Sequence, residues 1–225
     1  MSSFTWQRVR TRFGGTVSFV SDAFDQHAVS WCGCCFVVAV VQCIEDRGHI
    51  LMRKRTPLDM QGMLNHVSHA FGKNACRGGL PEDVLKCIIH GSCPLMRRRG
   101  CWTGRPQPVT HTQSSNVPFV VTGIDKAIYS HMVKDILRKD GPVILMINSD
   151  TLKAVDGKGV VTDLTYKVMN HAVTVVGWTE DDMWIVRNSW GRMRVPTALP
   201  DNLECVDDDN IECKVSWEYW IGDPN

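Results

Sequence analysis

Apolar positions are unevenly spread along this chain, and their spacing changes between its two halves. Cys34 to Arg47 reads Cys-Cys-Phe-Val-Val-Ala-Val-Val-Gln-Cys-Ile-Glu-Asp-Arg, apolar nearly all round and charged at its end. A helix of that kind belongs in the centre of a lobe, although its β-branched residues are poor helix formers. Gly48 is the expected stop. Residues 57–72 carry weaker helical periodicity. Gly78-Gly79 then breaks the chain, and Pro81 opens a short helix, Glu82 to His90, ended by Gly91. Residues 92–123 hold Pro94, Gly100, Gly104, Pro106, Pro108 and Pro118, a long irregular crossing and the best boundary between two lobes. Lys126 to Lys139 is an amphipathic helix closed by Asp140-Gly141-Pro142. After it the period becomes that of strands: Val143 to Ile147, Ala172 to Trp178 and Met183 to Arg187. The first thirty residues read as loops with a Gly14-Gly15 turn. A helical front half and a strand-rich back half predict an α+β fold with a cleft between two lobes.

Composition narrows the function classes. Of the 225 residues, 44% are apolar and 22% charged, with a formal net charge of +1, which argues against disorder and gives no electrostatic reason for a nucleic-acid partner. The basic runs Arg53-Lys54-Arg55 and Arg97-Arg98-Arg99 lack the interleaved aromatics of a single-strand binder and read as solvated loops. No run of about 18 apolar residues occurs, so no membrane insertion is expected. Met1 to Arg12 has arginines but no apolar stretch behind them, unlike a secretory signal. Ten cysteines are many for a cytosolic protein and favour an oxidising compartment. A processed domain carrying an initiator Met and an intracellular protein both remain open. Cys43 and Cys87 read as small core residues. Cys32, Cys34 and Cys35 with a distant histidine match no standard metal spacing, so no metal or other cofactor is expected.

The chemistry lies in three segments. A thiol that attacks a carbonyl must react as a thiolate, so its pKa must fall below the free value of about 8.5. A helix N-terminus and a neighbouring imidazolium both lower it. Cys35 stands at the start of the apolar helix. The partner histidine need only be adjacent in space, oriented by a third group. His171 lies in Asn170-His171-Ala172-Val173-Thr174-Val175-Val176-Gly177-Trp178, 136 residues after Cys35. Asn188 lies in Trp184-Ile185-Val186-Arg187-Asn188-Ser189-Trp190-Gly191, 17 residues after His171.

These segments, with Trp31-Cys32-Gly33-Cys34-Cys35-Phe36, resemble in content, order and spacing the papain-like cysteine proteases. The resemblance implies a single peptidase domain over residues 1–225. Its lobes would be a helical one over about 12–112 and a β-rich, antiparallel barrel-like one over about 113–212, with the active-site cleft between them and terminal segments crossing. It implies that Cys35 attacks the scissile carbonyl through an acyl-enzyme intermediate. His171 would form a thiolate–imidazolium ion pair with Cys35 and then protonate the leaving amine. Asn188 would orient the imidazole, and Trp190 would shield that bond. Gln26 would donate to the oxyanion beside the backbone N–H of Cys35. Gly78 and Gly79 would let an extended peptide pair with bare backbone. Cys32–Cys76 would be a disulfide. A peptide or protein substrate and a monomeric state are implied, with a lysosomal or extracellular location for a processed chain.

Gln26 lies nine residues before Cys35, where most relatives have six. The extra residues, His27-Ala28-Val29, resemble an insertion in the cathepsin X (cathepsin Z) branch. There the inserted histidine binds the substrate's C-terminal carboxylate, which implies carboxypeptidase activity with His27 in that role. The pattern also has departures. Phe36 replaces a Trp, and Cys34 replaces a Ser beside the nucleophile. After Gly191 the Gly-aromatic strand is missing; instead come Pro196, Pro200 and Asp207-Asp208-Asp209 between Cys205 and Cys213. Two other functions stand against hydrolysis: an inactive relative that only binds peptides, and a thiol-disulfide oxidoreductase using Cys32 and Cys35.

Overall fold

Burial, not intrinsic propensity, builds the central helix. In a computed structural model describing residues 2–109, 116–127, 129–153, 161, 168–191 and 218–221, α1 spans Cys35–Met52. Its β-branched Val37, Val38, Val40 and Val41 are each at most 1% exposed. Each such side chain contributes roughly 1.5–3 kcal/mol through removal from water, well beyond the few tenths that valine costs in helix propensity. α2 (Met60–Ala70) and α3 (Pro81–Ile89) pack against α1. α2 starts at Asp59, whose carboxylate accepts the Gly62 N–H at 2.9 Å. α3 starts on Pro81, with Glu82 and Asp83 in its first turn, where the helix dipole favours anions.

The sequence boundaries shift in three places. α1 does not stop at Gly48 but runs on to Met52, with Arg53 left-handed behind it. Gly48 is instead a packing residue: a Cβ there would lie 2.5 Å from the Phe119 ring. The amphipathic helix, α4, spans Ser130–Asp140 and so begins after Lys126, whose ammonium is engaged by Glu82 at 2.6 Å. The final strand that the sequence pattern did not show exists: β7 (Glu218–Ile221) pairs with β6 (Trp184–Arg187). Pro196, Pro200, Asp207 to Asp209, Cys205, Cys213 and the end of the chain lie outside the described residues.

The sheet centres on β5 (His171–Trp178), every residue of which is buried. Along one edge it pairs with β4 (Val143–Ile147) and then with β1 (Phe4–Thr5); along the other it pairs with β6. All these pairings are antiparallel. A separate ribbon joins β2 (Val9–Arg10) to β3 (Thr16–Val17). The segment read as loops therefore supplies three short strands, too brief for a period-2 pattern to show. Between Val175 and Gly177 the β5–β6 register slips by one residue. This bulge puts Trp178 on the same face as Val173 and Val175, over a core shared with Leu137 of α4. Val176 and Ile185 face the opposite way, towards Trp6 and Val20. Ala172 joins the helical core around α1, so the start of β5 is the seam between the two halves.

Two disulfides are described, Cys32–Cys76 and Cys87–Cys93. The second corrects the reading of Cys87 as a plain core thiol. The five residues between it and Cys93 bring the chain round after α3. Cys43 is a buried free thiol, as expected, donating to the Pro142 carbonyl at 3.0 Å.

Gly177 tests the packing of β1 on β5. A Cβ there would fall 2.7 Å from the Thr5 Cα and closer still to the Phe4 carbonyl, both backbone atoms held in register. Gly177→Ala is expected to destabilise the protein by about 1–3 kcal/mol, read as a lowered thermal midpoint. An unchanged midpoint would show that β1 is not held against β5.

Candidate active site

Three chain segments meet at the seam, and each places one chemical group. α1 places a sulfur. Cys34, at the N-cap, contributes no side-chain cap, so the first N–H groups of the helix are left free of it. The backbone N–H groups of Ala172, Phe36 and Cys35 itself lie near enough to the Cys35 sulfur to favour its thiolate. Burial pushes the Cys35 thiol up, and these three donors pull it back. Its neighbour is in a different environment. Cys34 is fully buried, and burial with the adjacent Cys35 pushes its pKa up to about 12. Packing distinguishes the two thiols: Cys34 is fully buried, whereas Cys35 is half-buried.

β5 and β6 place the imidazole and its orienting amide. His171 Nε2 lies 2.8 Å from Asn188 Oδ1. That oxygen also accepts the Ser189 N–H at 2.7 Å, and a backbone N–H can only donate. The amide orientation is thus fixed, and the ring nitrogen facing it must carry the proton. Nδ1 is left with its lone pair, free to act as a base. The Trp190 ring sits 4.9 Å from the imidazole, tilted by 34°, and covers it. Burial lowers the His171 pKa; the Asn188 bond opposes this, and the charge of His27 adds to the lowering.

The loop before α1 places the amide donor. Gln26 is 2% exposed. Its Nε2 donates to the Cys32 carbonyl at 2.8 Å, while its Oε1 accepts from the Ser189 hydroxyl at 2.6 Å. One N–H remains beyond the Cys32 bond. Cys32 is bonded to Cys76, not to Cys35, and the Gly33 N–H donates to the Cys76 carbonyl at 2.8 Å. This ties the segment before the sulfur to the wall that carries Gly78 and Gly79. Gly78 has φ +97°, a conformation glycine adopts freely. A Cβ on Gly79 would lie 2.6 Å from the Phe36 ring. The aromatic ring after Cys35 therefore sits beneath the glycine wall and accounts for the second glycine.

His27 stands at the rim. Its Nδ1 accepts the Cys32 N–H at 3.3 Å, leaving Nε2 to carry the proton. Burial lowers its pKa and nearby Asp25 opposes that, so the neutral N–H donor form is favoured. The ring stacks on Trp31, which is 74% exposed. Ser30 of the same loop donates to the Gly104 carbonyl at 2.9 Å.

All eight residues singled out in the sequence thus lie in this region. Two partners went unassigned there. Ser189 was part of a motif, but its hydroxyl bond to Gln26 needs the fold to bring them together. The Ala172 N–H leaves no trace in a side-chain pattern.

With this geometry in place, comparison with known proteins decides the family: residues 9–194 match the papain family of cysteine proteases. The chain belongs to that family. Similar curated proteins include a viral cathepsin of Epiphyas postvittana nucleopolyhedrovirus, 27% identical over 71% of this chain and 50% of its own. Cathepsin Z of Onchocerca volvulus is 23% identical over 78% of this chain and 62% of its own. The chain spans about half the length of several of the curated relatives it matches. Among solved structures, a Carica candamarcensis cysteine protease in complex with E-64 is 20% identical, with a TM-score of 0.64 over 85% of this chain and 83% of that one. The papain-like α+β architecture is therefore the fold of this chain, and the papain family acts on peptide or protein substrates. Among the described residues no helix is long and apolar enough to cross a membrane.

The environments of the two adjacent thiols give a direct check. With a pKa near 12, Cys34 presents roughly one thiolate in a hundred thousand at pH 7. Iodoacetamide at pH 7 followed by peptide mapping is expected to modify Cys35 and leave Cys34 intact. Modification of Cys34 ahead of Cys35 would move the reactive sulfur by one residue.

Proposed function

We propose that this papain-family chain is a peptide hydrolase, a single domain working as a monomer, with Cys35, His171, Asn188 and Gln26 as its catalytic set. The observation that carries this is the Asn188-oriented imidazole, its Nδ1 lone pair free, in the residue next to the N–H that meets the Cys35 sulfur.

The chemistry follows from the placement. His171 Nδ1 takes the Cys35 proton, and the sulfur attacks the scissile carbonyl. Charge moves to the carbonyl oxygen, where the free N–H of Gln26 and the Cys35 backbone N–H receive it. As the C–N bond breaks, the imidazolium gives its proton to the leaving amine. The thioester remains on Cys35. His171 then takes a proton from water, the hydroxide attacks the thioester, and the acid leaves as the sulfur is restored. Asn188 holds the ring throughout, and Trp190 keeps water from that bond.

His27 supplies the finer part of the reading, a preference for free C-termini. Its outward Nε2–H is a neutral donor held by Cys32, on a loop braced through Ser30 to Gly104. A substrate carboxylate one residue beyond the scissile bond would accept from it.

Paired peptides ending in a free acid or in an amide test both levels. Hydrolysis by the wild type, lost by about a thousandfold or more in Cys35→Ala, supports the peptidase. No hydrolysis by a protein whose Cys35 is labelled by a thiol trap would favour a binding-only relative. The acid should be cleaved at least about tenfold faster than the amide, and His27→Ala should erase that difference; equal cleavage by the wild type removes the carboxypeptidase reading. The rate rises with pH as His171 loses its proton, at a pKa held below about 6.5. Since His27 helps to lower that value, His27→Ala is expected to move the acid limb to higher pH.

A further inference from the structure

A second set of charges lies behind the site, and none of the chemistry above uses it. Arg187 ends β6 and directly precedes Asn188. Its Nη1 lies 2.7 Å from Asp46 Oδ2, and the two side chains are 2% and 1% exposed. Asp46 is on α1, three turns beyond Cys35. Strand alternation brings them together: Arg187 shares a face with Ile185, opposite Val186 and the α4 side of the sheet.

The pair also holds a third segment. Asp46 Oδ1 accepts the Ser21 N–H at 2.7 Å, and Arg187 Nη1 donates to the Ser21 carbonyl and hydroxyl at 2.8 and 3.1 Å. Gln42, one turn before Asp46, donates to the Asp22 carbonyl at 2.6 Å. Residues 21 and 22 lead into Gln26. One buried pair therefore ties the helix that carries Cys35, the strand that leads to Asn188 and the segment that leads to Gln26. The other charged or titratable groups facing it are Glu45, Arg47 and the Cys43 thiol of α1.

Such a pair is a poor stabiliser. Two charges leave water, and apolar residues of like volume often serve stability as well or better. Arg187 Nε and Nη2 have no partner among the described residues, so the guanidinium is not even fully satisfied. What the pair provides is direction: a fixed separation between two elements from opposite halves of the fold. We infer that Asp46 and Arg187 are positioning residues, a strut that sets where α1 and β6 present the sulfur and the orienting amide. This rests on the proposed peptidase reading for its consequence and on the ion pair for its geometry.

The test separates positioning from folding. Asp46→Leu/Arg187→Met replaces the charges by apolar side chains. Its thermal midpoint is expected to stay near that of the wild type, while kcat for peptide falls at least tenfold with KM changed less than threefold. The rate of Cys35 alkylation at pH 6 should fall in parallel. Wild-type kcat and alkylation in this variant would overturn the strut. Should the double variant not fold, Arg187→Lys decides. It keeps the charge but, being shorter, cannot bring a nitrogen to where Arg187 Nη1 alone meets both Asp46 and Ser21, and kcat should drop two- to tenfold. Wild-type kcat in Arg187→Lys would overturn it too. Absence of peptide cleavage in the wild type would sink the peptidase reading alone, since the alkylation rates of the variants still report on the strut.

Discussion

The hydrogen bond between His171 and Asn188 depends on a register between two strands. β5 and β6 run antiparallel, with Thr174 opposite Arg187, so His171 at the start of one strand and Asn188 just past the end of the other come out at the same end of the sheet. At 2.8 Å their bond chooses the tautomer of the ring and hence which nitrogen is left as a base. The rest of the site is arranged around that choice. Ser189 fixes Asn188 from one side and Gln26 from the other, and the chain after His171 turns the Ala172 N–H towards the sulfur. A one-residue slip of β6 would carry Asn188 to the other face and undo all of these contacts together.

The electrostatics of the site are set by a contest between burial and donors. Burial acts against charge on both partners: it raises the Cys35 thiol and lowers the His171 imidazole. Both directions favour a neutral resting pair. Against them stand three backbone N–H groups at the sulfur and the Asn188 oxygen at the ring. These dipoles are in place before substrate arrives, so in the proposed attack the developing charge would meet donors that need not reorganise. Cys34 shows what the same burial does without such an arrangement: its pKa rises to about 12.

Much of this was legible in the sequence because it rests on local pattern. An all-round apolar segment marks α1, and short runs rich in β-branched and aromatic residues mark β4 to β6. Cys35, His171 and Asn188 stand out because their segments are distinctive in content and spacing. The rest was hidden where tertiary contact overrides local preference. Gly48 resembles a helix stop, but the Phe119 ring against it explains the glycine and the helix continues. β1 is two residues long and exists only because β5 offers an edge. Cys87 looks like a core thiol until the chain turns back and brings Cys93 to it. The Asp46–Arg187 pair is invisible for a similar reason: either charge alone reads as a surface residue, and only the packing of α1 against the sheet buries both.

The claim on which the account turns is that the Cys35 sulfur shares its proton with His171. The most direct measurement is the pH dependence of Cys35 alkylation in the wild type and in His171→Ala. In the wild type the reaction should set in below about pH 6.5, as the imidazole becomes free to accept the thiol proton. In His171→Ala it should set in only above the ordinary thiol range near 8.5, because burial then acts on the sulfur without a base beside it. Superimposable profiles for the two proteins would contradict the account.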